Sequence, residues 1–268
     1  TLSSSSAASD VYKRQKLGHT LIMVDFTSRW EKPQIDWVKG RIFGDALISS
    51  TPPYHRISYL KIDNTPPHSQ KYVYSKCRFK TGTKTRFDGD KVNSKCEGSD
   101  FINTIYKTWR SQINEVENSF FPKNEDAEKS LIYEYLVHVL REYSADFGSD
   151  YQSRELIIVS DLMQYSERVN FFKHCKSAAE LLKPKKQQKA DKCAGFEKLL
   201  KKEKSFANYI NATKPNNEML KNLKVKVLFI NHGYQTRKDL YITLQDLWED
   251  MFKYIGLKNY EIVPQIDF

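Results

Sequence analysis

Three stretches of the chain are apolar almost throughout: TLIMVDF (Thr20–Phe26), ELIIVSD (Glu155–Asp161) and VKVLFIN (Val225–Asn231). Runs of this kind are expected of strands buried on both faces, as in a parallel sheet covered by helices. Between them the apolar spacing changes to a helical period. Pro33 opens a predicted helix to Ile48, carrying Ile35, Val38, Ile42 and Ala46. Further helices are predicted over Asp100–Phe120, over Ser130–Phe147, after the second apolar run through about Leu182, and over Leu240–Ile255. The last places Leu240, Leu244, Leu247, Met251 and Ile255 on one stripe, which is ordinary core packing. RISYLKI (Arg56–Ile62) and KYVYSKCRF (Lys71–Phe79) read as strands around a TPPH turn. So short a connection makes them antiparallel, with the second at an edge. EIVPQIDF adds a short last edge strand, where Pro264 is tolerated. The order predicts a three-layer, doubly wound α/β fold: a mostly parallel sheet with one antiparallel edge strand.

Composition adjusts this picture at two places. Ser5–Gln15, SSAASDVYKRQ, back-translates codon by codon into the adaptor of transposase-based sequencing libraries. Residues 1–15 are therefore expected to be an artefactual, disordered tail, and Lys16–Phe268 a single domain. The chain is 40% hydrophobic and 13% aromatic, ample for a core, with no stretch near the ~18 apolar residues of a membrane helix. The location is left open by the sequence, with the cytoplasm slightly favoured. The net charge is +10, of which +6 lies in Lys183–Lys204. That run opens a predicted Lys-rich insertion, 183–222, expected to be mostly solvated surface. Lys185, Lys186, Lys201 and Lys202 are its candidate anion-binding residues, with non-specific nucleic acid as the possible partner. Only Phe196 interrupts the run as an aromatic, so base-stacking platforms are lacking there.

The candidate chemistry sits where two buried strands end in aspartate, at Asp25 and Asp161. In doubly wound sheets, sites form at the carboxyl ends of strands, where the strand order reverses. Each aspartate alone would read as a strand-end or helix cap. Together they form a candidate site if both enter one crevice. The chain contains no P-loop, GxGxxG, GxSxG or HExxH. His138 reads as a packed helix histidine. The four cysteines form no CxxC pair and read as unpaired thiols, although Cys77 and Cys96 flank one polar segment and could pair.

Asp25-Phe26-Thr27-Ser28-Arg29, Ser130 and Asp161, in this element order, resemble a von Willebrand factor A-type domain from Leu21 to about Phe268. Such domains carry Asp-x-Ser-x-Ser after the first strand, a Thr at a later helix and an Asp after the fourth strand. The resemblance implies a metal-ion-dependent adhesion site in which Asp25, Thr27, Ser130 and Asp161 hold Mg²⁺ and a protein partner supplies a carboxylate. Arg29 departs from the motif at its second Ser, and no Gly-rich loop precedes Ser130. A guanidinium binds no metal, so the site is either Mg²⁺-dependent or filled by Arg29 as the cation. The rival expectation is an Mg²⁺-dependent hydrolase of phosphatase or nuclease type, using Asp25, Asp161 and Glu31.

Overall fold

The computed structural model describes residues 17–28, 30–82, 90–91, 98–121, 129–141, 146–175, 194–230 and 238–265. The proposed adaptor tail, Arg29, Cys96, Lys185 and Lys186 lie outside them.

The three apolar runs become neighbouring strands. β1 (Gly18–Asp25), β4 (Ser153–Ser160) and β5 (Leu223–Phe229) pair in parallel in the order β1-β4-β5. β2 (Arg56–Ile62) joins the other side of β1 in parallel, and β3 (Tyr74–Cys77) closes that edge antiparallel to β2. β6 (Tyr260–Pro264) closes the opposite edge, parallel to β5, ending at its proline. The full order is β3-β2-β1-β4-β5-β6, so the chain leaves β1 in one direction and returns at β4 in the other. The fold is the predicted three-layer, mostly parallel α/β architecture with one antiparallel edge strand.

Alternation along each strand feeds two separate cores. Leu21, Met23, Leu156, Ile158, Val225 and Val227 face one layer; Ile22, Val24, Ile157, Val159 and Leu228 face the other. The second layer is α1 (Lys32–Ile42), α2 (Asp45–Ser50) and α3 (Ser99–Phe120), which bury Val38, Ile48, Trp109, Ile113 and Phe120. The first is built from α4 (Ile132–Arg141) and α9 (Lys238–Ile255), joined by shorter helices described below. Leu244, Leu247, Met251 and Ile255 are buried, as their stripe predicts, together with Trp248 and Phe252.

Three expectations are corrected. The single helix Pro33–Ile48 is two, because the chain turns at Gly44, the extended N-cap of α2. A Cβ there would lie 2.1 Å from the Gly40 carbonyl oxygen, so the turn admits only glycine without rearrangement. The Lys-rich 183–222 stretch is more than solvated surface. Its described part forms α6 (Phe196–Lys202), α7 (Lys204–Thr213) and α8 (Asn217–Leu220). These send Phe196, Leu199, Phe206 and Ile210 into the first core, while Lys201 and Lys202 stay exposed. An i, i+3 apolar spacing hidden among lysines makes this possible. Finally, Cys77 is a free, exposed thiol, and Cys175 is disulfide-bonded and buried. The Cys77–Cys96 pairing is thus not formed, and the unpaired reading fails at Cys175; spacing alone does not fix connectivity. Of the predicted helix through Leu182, the described residues show one turn, α5 (Phe171–His174).

Candidate functional site

The reversal of strand order leaves a crevice beyond the C-terminal ends of β1 and β4, and Asp25 and Asp161 both stand there. Period-two geometry selects their neighbours. Asp25 continues the Leu21–Met23 face of β1, and Ser160 continues the Leu156–Ile158 face of β4. The register that pairs Val24 with Val159 therefore carries Asp25 alongside Ser160. Ser160 Oγ donates to Asp25 Oδ2 at 2.8 Å. The next side chain, Phe26, points to the opposite face and packs its ring among Trp30, Phe120 and Phe121. That aromatic anchor holds the loop after β1 over the sheet end.

Asp25 is only 3% exposed, yet each of its oxygens accepts two hydrogen bonds. Oδ1 receives the Thr27 main-chain N–H at 3.0 Å and the Thr27 hydroxyl at 2.5 Å. Oδ2 receives Ser130 Oγ at 3.1 Å besides Ser160. Asp161 is buried too: Oδ1 accepts from Met163 N–H at 2.9 Å and Oδ2 from Ser28 Oγ at 3.0 Å. The candidates Asp25, Thr27, Ser130 and Asp161 thus come together.

Ser130 arrives by a different route from the one its sequence suggests. It does not open the helix but forms an isolated antiparallel bridge with Tyr165, through two main-chain bonds of 2.8 Å. The helix starts later, at Ile132, and the Gln164 side chain accepts from Tyr133 N–H at 2.9 Å. The bridge ties the segment before α4 to the loop after β4 and delivers the hydroxyl to Asp25.

That loop is tightly determined. Leu162 has a left-handed φ of 61°, unusual for a non-glycine residue and worth of order 1–3 kcal/mol of strain. Ser160 Oγ accepts from Leu162 N–H at 2.8 Å, and Trp248 Nε1 donates to Leu162 O at 2.8 Å. Strain held by neighbours at a strand end is common where geometry serves a site.

Burial raises the Asp25 carboxyl most, and the adjacent Asp161 carboxylate raises it further. The Thr27 and Ser160 bonds oppose both, and the group ends pushed up to about 6. Asp161 is also raised, again by burial, against the Met163 and Ser28 bonds. Two interacting buried carboxylates favour a proton or a cation between them. The donor set is all oxygen, two carboxylates and four hydroxyls, which suits a hard cation such as Mg²⁺ rather than a soft metal.

Two members escaped the sequence reading: Ser28, between the motif positions Thr27 and Arg29, and Ser160, inside the apolar run. The signal for Ser160 was the same-face relation to Asp25 across parallel strands. Glu31 joins nothing here; it is exposed and caps α1. Among the described residues, no three His, Cys, Asp or Glu side chains form a metal-binding group. Lys201 and Lys202 lie in the last turn of α6, on another element from this crevice.

The chain matches none of the known family models, and no curated protein sequence is similar to it.

Proposed function

We propose that this crevice is a divalent-cation site of the von Willebrand A type, through which the domain binds a carboxylate presented by a protein partner. The reading is carried by one observation: Asp25 and Asp161, both buried, share the ends of β1 and β4 with Thr27, Ser28, Ser130 and Ser160. Mg²⁺ takes about six oxygens and commonly few carboxylates, completing its shell with hydroxyls, water or a ligand. Asp25, Thr27, Ser130 and Asp161 are the residues that would hold it, with Ser28 as a further hydroxyl. The cation would neutralise the pair and leave coordination for the partner's carboxylate. The strand order, with its antiparallel β3 edge, agrees with the same resemblance. A hydrolase would need a further base or ligand, and Glu31 caps α1 instead.

The test is a Mg²⁺ titration followed by calorimetry and thermal unfolding, against the chain in excess chelator. Binding to the folded state alone raises the unfolding temperature by mass action. Asp161→Asn should abolish the rise. If Arg29 is the resident cation, Mg²⁺ has no effect on the unmodified chain and Arg29→Ser creates the dependence. A chain indifferent to Mg²⁺ in both forms overturns the reading.

A further inference from the structure

A cavity of about 370 Å³ opens beside the crevice, between the 3-10 turn Pro67–Ser69, α4 and Ser166–Arg168. Its volume lies in the range of small-ligand pockets. Leu131, Val137 and Pro67 give it apolar walls. Glu134 also lines it, although the residue is only 6% exposed. Its Oε2 accepts from Gln164 Nε2 at 2.8 Å, while Oε1 is buried with no hydrogen-bond partner. A buried acceptor without a donor is unfavourable and calls for an explanation.

Lys129, Arg168, His68 and His138 also line the cavity. Lys129 Nζ lies 2.7 Å from Glu167, and the Arg168 guanidinium stacks 4.1 Å from the centre of the Tyr209 ring. Neither donates a hydrogen bond to Oε1, although the Arg168 charge acts on the carboxyl from further off. Burial raises the Glu134 carboxyl above its ordinary range, while Ser166, Gln164 and the nearby Arg168 charge lower it.

We propose that this cavity is a recognition subsite for a protonated primary amine or a guanidinium. The ligand's N–H groups meet Glu134 Oε1, and its hydrocarbon stem lies along Leu131, Val137 and Pro67. An anion would face the Glu134 carboxylate, and a purely apolar ligand would leave Oε1 unsatisfied. Charge-assisted bonds to a buried carboxylate are strong and directional, which makes this group selective. The inference is independent of any cation at Asp25 and Asp161, because Glu134 takes no part in that cluster.

The experiment titrates the ¹⁵N-labelled full chain with butylammonium and butylguanidinium, with butanamide and butyrate as controls of the same length. The two cations should cause saturable amide shifts at Glu134, Val137 and Ser166, with at least ten-fold tighter binding than butanamide. The result should be unchanged in excess chelator, which separates it from the Mg²⁺ reading. Glu134→Gln should weaken the cations ten-fold or more while leaving butanamide unchanged. Butanamide binding as tightly as the cations, a preference for butyrate, or no saturable shift overturns the proposal. Should Glu134→Gln fail to fold, the comparison among the four probes on the unmodified chain decides it.

Discussion

Ser28 Oγ donates to Asp161 Oδ2 at 3.0 Å, joining the loop after β1 to the loop after β4. The bond from Ser160 to Asp25 links the same two strand ends, and that from Ser130 brings in the segment before α4. Ser28→Ala should therefore loosen the crevice as well as remove a donor. A bond to a charged acceptor contributes roughly 1.5–3 kcal/mol, and the half-buried hydroxyl places the loss near about 1.5. The Asp161 carboxyl should also move further above its ordinary value, because Ser28 is among the groups lowering it. Urea unfolding of both proteins checks the first expectation, and the pH dependence of the difference checks the second.

Asp25 makes stability depend on pH with a definite sign. Its ordinary value of 3.8 is pushed up to about 6 in the fold. Between roughly pH 4 and 6 the folded chain keeps a proton that the unfolded chain has lost. Stability is fullest below that window, falls as the pH rises through it, and levels above it. Asp161, raised in the same direction, adds to the slope. Asp25→Asn should flatten the fall: the amide oxygen can accept from Thr27 N–H while its amino group faces the Ser130 and Ser160 hydroxyls, which can turn to accept. Unfolding free energies at pH 4, 5, 6 and 7 measure the slope, and equal slopes in both proteins would contradict the assignment. A cation that competes with the proton should stabilise most above about pH 6.

A second buried charge lies far from the crevice, at the β3 edge. Arg78 and Asp90, 2% and 0% exposed, pair through two bonds of 2.8 and 3.1 Å, and Asp90 also accepts from Thr81 N–H. Removing one partner strands the other, so Asp90→Ala should destabilise by about 3–5 kcal/mol. Arg78→Met combined with Asp90→Leu should recover most of that loss. A single variant within 1 kcal/mol of the parent protein, in denaturant titration, would show that the pair contributes little to holding this edge.

The fold was legible because parallel strands buried on both faces leave unbroken apolar runs, and helices leave a second period between them. β2 was read to the residue, Arg56–Ile62, since turn chemistry brackets it on both sides. The break at Gly44 was missed because α1 and α2 share one apolar rhythm across it. At the site, Asp25 and Asp161 were visible as charges terminating apolar runs. Ser160 was not, since its role depends on register between strands distant in sequence. Ser130 was found for the wrong reason: a bridge to Tyr165 positions it, and isolated bridges leave no periodic signal. The disulfide at Cys175 was invisible for a similar reason, being a matter of spatial approach.

The lysine-rich segment offers the clearest separation of core from surface. On α6, Leu199 is fully buried while Lys201 and Lys202, two and three positions on, are exposed. Phe206 on α7 is fully buried too, with edge-to-face contacts to Tyr133 and Phe171 at 5.8 and 6.3 Å between ring centres. Those rings tie the segment to α4 and to α5. Leu199→Ala should destabilise by about 2–5 kcal/mol and Phe206→Ala by about 3–5, through lost burial and an unfilled cavity. Lys201→Gln with Lys202→Gln should stay within about 0.5 kcal/mol, as expected for solvated positions. The four proteins are compared by guanidinium unfolding at constant pH. If the two core variants unfold at the parent midpoint, the segment is the dispensable insertion that its lysines suggest. If they fall as expected while the lysine variant does not, the same stretch carries a charged exterior and a structural interior.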